Sequence, residues 1–189
     1  MSAETGRPLR ADARRNRARI LEVAHEVFAG QGMNAPIDEI AERAGVGVGT
    51  VYRHFPTKEA LFRAIVEHRI ESLTEEILAL TEQDPGEAFF VMFRQLVVKG
   101  RASKDFFEAM AASTGTDMAE LSMGNRDSMM AAIARVLARA QQAGAVRPGL
   151  TAADVKALMV GAHAIQQYAA DEQALETALT VICDGVRPK

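Results

Sequence analysis

IDEIAERAGVGVGTVYRHFPTK, residues Ile37 to Lys58, spells two short helices joined by a sharp turn. Ile40 and Val51 are the apolar contacts expected to lock the helices together, and Ala41 is small enough to let their backbones cross closely. Gly45 falls where the chain must turn, because only glycine enters the left-handed region without a side-chain penalty. Val46 fills the angle between the helices. Pro36 stands where the first helix opens, a tolerated place for a residue without an N–H. Asp38 and Glu39 follow in the first turn, where the helix dipole favours negative charge. The second helix, Gly47 to Phe55, has the position of a recognition helix that lies in a DNA major groove. It carries two glycines, each costing about 1 kcal/mol relative to alanine, so packing and DNA must hold it. An ordinary helical hairpin inside a core uses a similar Ala-x3-Gly-x5-Val pattern, and the flanking residues decide between the two.

Those flanks are Gly45-Val46, Gly49-Thr50, Tyr52-Arg53-His54-Phe55 and Lys58, followed by Glu59-Ala60-Leu61. The combination resembles the TetR family of bacterial regulators over residues 14–66; beyond that stretch only the length and the helical layout agree. The resemblance implies that Thr50, Tyr52, His54 and Lys58 sit at DNA, mostly on phosphates, and that Val48 and Gly49 face the bases. The chemistry suits those roles independently. Tyr52 and Thr50 offer hydroxyl donors for phosphate oxygens, and Lys58 offers a compact positive charge near the start of the next helix. Phosphate contacts position the protein without reading sequence. Base reading falls to Val48, Gly49 and Arg53, and a valine can only pack on a thymine methyl or exclude other groups.

Two departures from the family pattern matter. Gly47 replaces a capping serine found in many relatives, and Pro36-Ile37 replace positions that often carry threonine hydroxyls. Compensation is expected from an N-terminal arm in which Arg7, Arg10, Arg14, Arg15, Arg17 and Arg19 outnumber Glu4 and Asp12, a net charge of +4. A flexible basic arm reaches phosphates or a minor groove, and Arg14 and Arg15 are its candidate DNA contacts. The bland alternative is a solvated tail. A signal-peptide core is excluded at Ile20 to Ala29 by Glu22, His25 and Glu26.

Whole-chain numbers fit a cytoplasmic regulator. The 189 residues are 48% hydrophobic, enough for a substantial core, and carry a net charge of −3. Charge is unevenly divided, at +2 over residues 1–70 and −5 over 71–189. Attraction to DNA is thus confined to one end, and the acidic body limits nonspecific binding. The single cysteine, Cys183, excludes an intrachain disulfide and a cysteine-cluster metal site. No apolar run approaches the ~18 residues of a membrane span. Glu22, His25 and Glu26 share helical spacing but have no fourth partner for a metal, so a wet helix face is expected. No nucleophile elbow, zinc-protease pair, phosphate loop or dinucleotide fingerprint occurs, and neither an enzymatic activity nor a cofactor is expected. The rival class is a helical adaptor that binds protein, which leaves Tyr52, His54, Lys58 and the arginines unexplained.

Periodicity predicts an all-α chain: a flexible basic arm over 1–13, a three-helix helix-turn-helix domain over 14–56, a linking helix over 57–82, and a helical regulatory and dimerisation domain over 83–189. Asp84 caps the helix that Pro85 opens. Further helices are expected near Lys104 to Ser113 and Arg126 to Gln142, with a loose segment from Thr114 to Asn125 between them, and then at Ala152 to Ala169 and Glu172 to Gly185. Val155, Leu158, Met159, Ala162 and Ile165, with Leu175, Ala178, Leu179 and Ile182, form stripes on the last two helices. These stripes serve either a homodimer, as in the family, or the subunit's own core. A dimer presents two recognition helices to a palindromic operator.

The middle of the chain concentrates large, adaptable side chains, and methionine adapts to varied ligands. The resemblance implies a small-molecule pocket there, and a small apolar or amphipathic effector is expected. Candidate contacts are Phe89, Met92, Phe93, Phe107, Met110, Met130 and Met159, with His163 and Gln166 as polar groups, besides Arg94 and Asn125. Core packing is the default alternative for each. The functional expectation is a repressor of transcription that leaves its operator when the effector binds.

Overall fold

The computed structural model describes the backbone over residues 6–114 and 118–189, and side chains over 12–100, 106–107, 111–112 and 127–189. The described residues are helical, without strands: α1 (Gly6–Gln31), α2 (Ile37–Ala44), α3 (Val48–His54), α4 (Lys58–Ala79), α5 (Pro85–Thr114), α6 (Met118–Gln142), α7 (Ala152–Tyr168) and α8 (Glu172–Val186). A 3-10 turn, Leu80–Glu82, follows α4. No helix of the described residues is long and apolar enough to cross a membrane.

Two compact units divide the chain discontinuously. One comprises Met1–Arg69 with Phe106–Ser122, the other Ile70–Asp105 with Met123–Lys189. In the first, Ile20, Ala24, Val27 and Phe28 form the buried stripe of α1, and Ile37, Ile40, Ala41 and Ala44 that of α2. Val51, Phe55, Leu61, Phe62 and Ile65 complete this core. In the second, Ile77, Leu80, Phe89, Met92, Phe93, Leu96 and Val97 are buried together with Ile133, Val136, Leu137, Val155, Ala162, Leu179, Cys183 and Val186. Burial raises the Cys183 thiol above its ordinary range.

The Asp84 cap behaves as read, and the structure adds a second cap at α7. Asp84 accepts hydrogen bonds at 3.0 Å from the N–H groups of both Gly86 and Glu87 at the start of α5. Thr151 and Asp154 cap α7 reciprocally: the Thr151 hydroxyl accepts from the Asp154 N–H at 3.2 Å, and the Thr151 N–H donates to the Asp154 carboxylate at 2.8 Å. Bonding from the Thr151 hydroxyl, then from its N–H, holds the Asp154 carboxyl below its usual range.

Three expectations are corrected. Backbone helix extends back to Gly6, so residues 6–13 continue α1 instead of forming a flexible arm; Glu4 lies outside the described residues. α5 runs unbroken for 30 residues through Gly100 and includes the segment expected as a separate helix at 104–113. Helix resumes at Met118, so most of the expected loose segment is α6, and residues 115–117 of it lie outside the described residues. Gly100 survives inside α5 because a Cβ there would lie 2.7 Å from Nε2 of His163 on α7. Helix propensity is local, and packing of this kind overrides it.

The stripes on α7 and α8 are also reassigned. Val155, Ala162 and Leu179 are buried in their own subunit, and Leu158, Met159, Leu175 and Ile182 pack against that core. The outward apolar residues are Val160, Ile165, Tyr168 and Val181. Small and apolar residues occupy both sides of these helices, so periodicity alone does not choose between the two alternatives.

Candidate nucleic-acid interface

The turn between α2 and α3 closes through Gly45, at φ +69° and ψ +33°. Its N–H bonds the Glu42 carbonyl at 3.0 Å, and the Val46 N–H bonds the Ala41 carbonyl at 3.0 Å. This is a glycine-closed helix end, and it satisfies the last carbonyls of α2. α3 then starts at Gly47, which has no side chain to cap the helix. Its carbonyl nonetheless accepts from the Thr50 N–H at 2.8 Å. Val51 is the only residue of α3 that is fully buried.

α3 therefore turns nearly its whole surface outward. Gly49, Tyr52, Arg53 and His54 are exposed, with Tyr52 at 50% despite its large ring, and Val48 and Thr50 are half-buried. A Cβ built at Gly47 or Gly49 would meet nothing within 4 Å. The open lane beside Gly49 suits close approach of another backbone or of a base edge.

Contacts distant in sequence brace the three helices of this head. The Arg17 guanidinium lies 5.5 Å from the centre of the Phe55 ring, joining α1 to the end of α3 by a cation–π contact. Gln31 donates to both carboxylate oxygens of Glu39 at 2.8 and 3.0 Å. Arg43 pairs with Glu26 at 2.8 Å. No local signal announced these pairs, since each joins residues at least eight positions apart.

Lys58 also has partners within the protein. Its ammonium donates to the carbonyls of Met33 at 2.9 Å and Ala35 at 2.8 Å. It thus ties the loop between α1 and α2 to the start of α4, with two of its three protons committed to the protein. Thr57 supplies the cap of α4 by accepting from the Ala60 N–H at 3.1 Å. Arg14 and Arg15 are exposed on α1, and Arg15 is paired with Asp12. The side chains of Arg7 and Arg10 lie outside the described residues.

The expected effector contacts that lie among the described residues fall in both compact units. Phe89, Met92 and Phe93 are sealed in the core of the second unit, and Met130 and Met159 pack partly buried against it. Phe107 belongs to the first unit, where its ring lies 6.1 Å from that of Phe62. His163 bonds the Leu96 carbonyl through Nε2 at 3.3 Å and wedges against Gly100, which makes it a packing residue. Arg94 faces the surface, paired with Glu176 and bonded to the Thr180 hydroxyl at 3.3 Å. Gln166 is half-buried, and the side chains of Met110 and Asn125 lie outside the described residues. Among the described residues, no cluster of three or more histidine, cysteine, aspartate or glutamate side chains could hold a metal ion.

A glycine-closed hairpin whose second helix is open to solvent, backed by a basic first helix, is a helix-turn-helix DNA-binding head. Comparison with known proteins narrows the class. Residues 20–65 match the model described as bacterial regulatory proteins, tetR family, and residues 84–188 match the model described as transcriptional regulator SbtR-like, C-terminal domain. A TetR transcription regulatory protein from Mycobacterium vanbaalenii is 42% identical, with 96% of this chain and 100% of that one aligned at a TM-score of 0.80. A TetR transcriptional regulator from Streptomyces coelicolor is 29% identical, covering 92% of this chain and 99% of its own at a TM-score of 0.74. An HTH-type transcriptional regulator of Staphylococcus aureus is 39% identical over 64 residues, 33% of this chain and 35% of that protein. The chain belongs to the TetR family of DNA-binding transcriptional regulators.

Proposed function

We propose that the chain is a cytoplasmic repressor that binds an inverted-repeat operator as a homodimer and is released by a small apolar or amphipathic effector. The observation that carries the dimer is the outward apolar face of α7 and α8. Val160 is 58% exposed, Tyr168 84% and Val181 66%. Ala157, Gly161 and Ala164 accompany them on α7, also exposed, at the three-and-four spacing of one helix side. Two helices from each of two chains would cover this surface in a four-helix bundle, the family's own arrangement. A two-fold axis would place two copies of α3 on two half-sites, which requires an operator with inverted symmetry.

The working division is a reading head over 14–56, a linking helix over 57–82 and a regulatory part over 83–189. At the operator, Val48, Gly49 and Arg53 would face bases, and Thr50, Tyr52 and His54 would hold phosphates. Arg14 and Arg15, on α1, would add backbone contacts. α4 is the candidate transmitter, because its residues divide between the two compact units at Arg69 and Ile70. Coupling of about 3 kcal/mol through it would lower operator affinity by roughly 150-fold.

The test is selection of bound sequences from random DNA with the purified chain. An enriched inverted repeat is expected, and a direct repeat or no motif would end the reading. A reporter placed behind the recovered site then separates repression, the expected outcome, from activation.

A further inference from the structure

His25, on α1 in the first compact unit, is half-buried with its ring set against aromatic side chains. Its ring centre lies 4.7 Å from Phe106 and 6.3 Å from Phe107, both edge-on, and Phe62 lies 6.4 and 6.1 Å from the same two rings. The Glu22-His25-Glu26 face, expected to be wet, is wet only at its carboxylates. Arg69, on α4, stands close enough to lower the His25 pKa, though desolvation is the larger cause and Glu26 opposes both. Nε2 of His25 and Nε of Arg69 are buried and have no hydrogen-bond partner among the described residues.

That pairing is unusual. Buried polar atoms are nearly always hydrogen-bonded, and leaving one unmade costs about 1–3 kcal/mol, more beside a charge. Arginine Nε always carries a proton, so it requires an acceptor; a neutral imidazole can supply a second N–H by its choice of tautomer. The nearby carboxylate of Glu26 is engaged by Arg43 at 2.8 Å. Two donors with one full positive charge, beside three phenyl rings, match a ligand that has a carboxylate at one end and an aromatic ring at the other.

We propose that His25 and Arg69 form the anion-receiving end of a ligand site within the DNA-reading unit, walled by Phe62, Phe106 and Phe107, for a small aromatic carboxylate. Only its consequence at DNA rests on the ligand-release reading. A ligand held here would bear on α1 and on α4 up to Arg69, which belong to the same compact unit as α3. A bridging water would also satisfy both donors, and it is the outcome the experiment must separate.

The full-length chain with labelled histidine is titrated with benzoate, phenylacetate and 1-naphthoate, and with their amides, while the ring signals of His25 are followed by NMR. At least one acid is expected to shift His25 saturably while its amide does not. Arg69→Gln should weaken that acid by about tenfold or more, the factor of one charged hydrogen bond. Arg69→Lys keeps the charge but loses the planar Nε–H; it should also weaken the acid, and it serves if the glutamine variant misfolds. His25 unmoved by every acid, equal shifts from acid and amide, or undiminished binding in the Arg69 variants would overturn the site. Operator affinity is measured separately. An acid that binds through Arg69 without changing operator affinity would refute release and leave the site standing. A different compound that releases the operator with His25 unmoved by the acids would do the reverse.

Discussion

Gly49 and Gly100 both stand inside helices, where glycine costs about 1 kcal/mol relative to alanine, yet their surroundings are opposite. A Cβ at Gly100 would lie 2.7 Å from Nε2 and 2.9 Å from Cε1 of His163, whereas one at Gly49 would meet nothing within 4 Å. In the second unit the protein's own packing demands the glycine. In the reading helix no intramolecular contact does, and the proposed function gives the open lane to a base edge. A feature that weakens a fold without serving its packing is a sign of function.

Substitutions can break that contrast, beginning with the largest effect. Gly100→Ala forces the His163 ring out of its seat and is expected to lower stability by about 1–3 kcal/mol in urea unfolding; an unchanged midpoint would mean that the ring moves aside freely. Lys58→Met removes two bonds from a charged donor to backbone carbonyls and should cost about 2 kcal/mol. If stability holds while DNA affinity falls, the lysine belongs to the phosphate contacts after all. Gly49→Ala should run opposite to Gly100→Ala, raising stability by about 1 kcal/mol while weakening operator binding in a gel-shift titration. A variant both more stable and equally tight on DNA would remove the functional account of this glycine.

The smallest effect is on pH dependence. His25 is held below the ordinary histidine value of 6.5, so the unfolded chain binds its proton more readily. Its contribution is therefore intact above that value and is lost as pH falls through 6.5 toward the folded-state pKa. Urea unfolding of the wild type should lose stability in that window, and His25→Phe should flatten the slope; equal slopes would show that the ring titrates as if exposed.

Legibility followed the range of the interactions. Gly45 and Asp84 act within four or five residues, and their residue types announce them. Lys58 bonds carbonyls 23 and 25 positions away, and nothing in its neighbourhood marks it as a staple. Gly100 gives no local sign of the packing that requires it, because its partner, His163, is on another helix. The stripes of α7 and α8 were recognisable as apolar, but Val155 and Val160 look alike in sequence although one is buried and the other exposed. The same limit applies to the effector contacts. Phe89, Met92 and Phe93 have the composition of a pocket and the burial of a core. Only the packing around them tells the two apart.

The central claim is that the outward face of α3 reads bases, with Val48 on its first turn. Random-DNA selection repeated with Val48→Asn tests it most directly, because asparagine pairs with adenine where valine can only touch a methyl group. The expected result is an inverted repeat altered at one symmetry-related position in each half-site, with the remaining positions preserved. An identical motif from wild type and variant would contradict the account, since Val48 would then face no base.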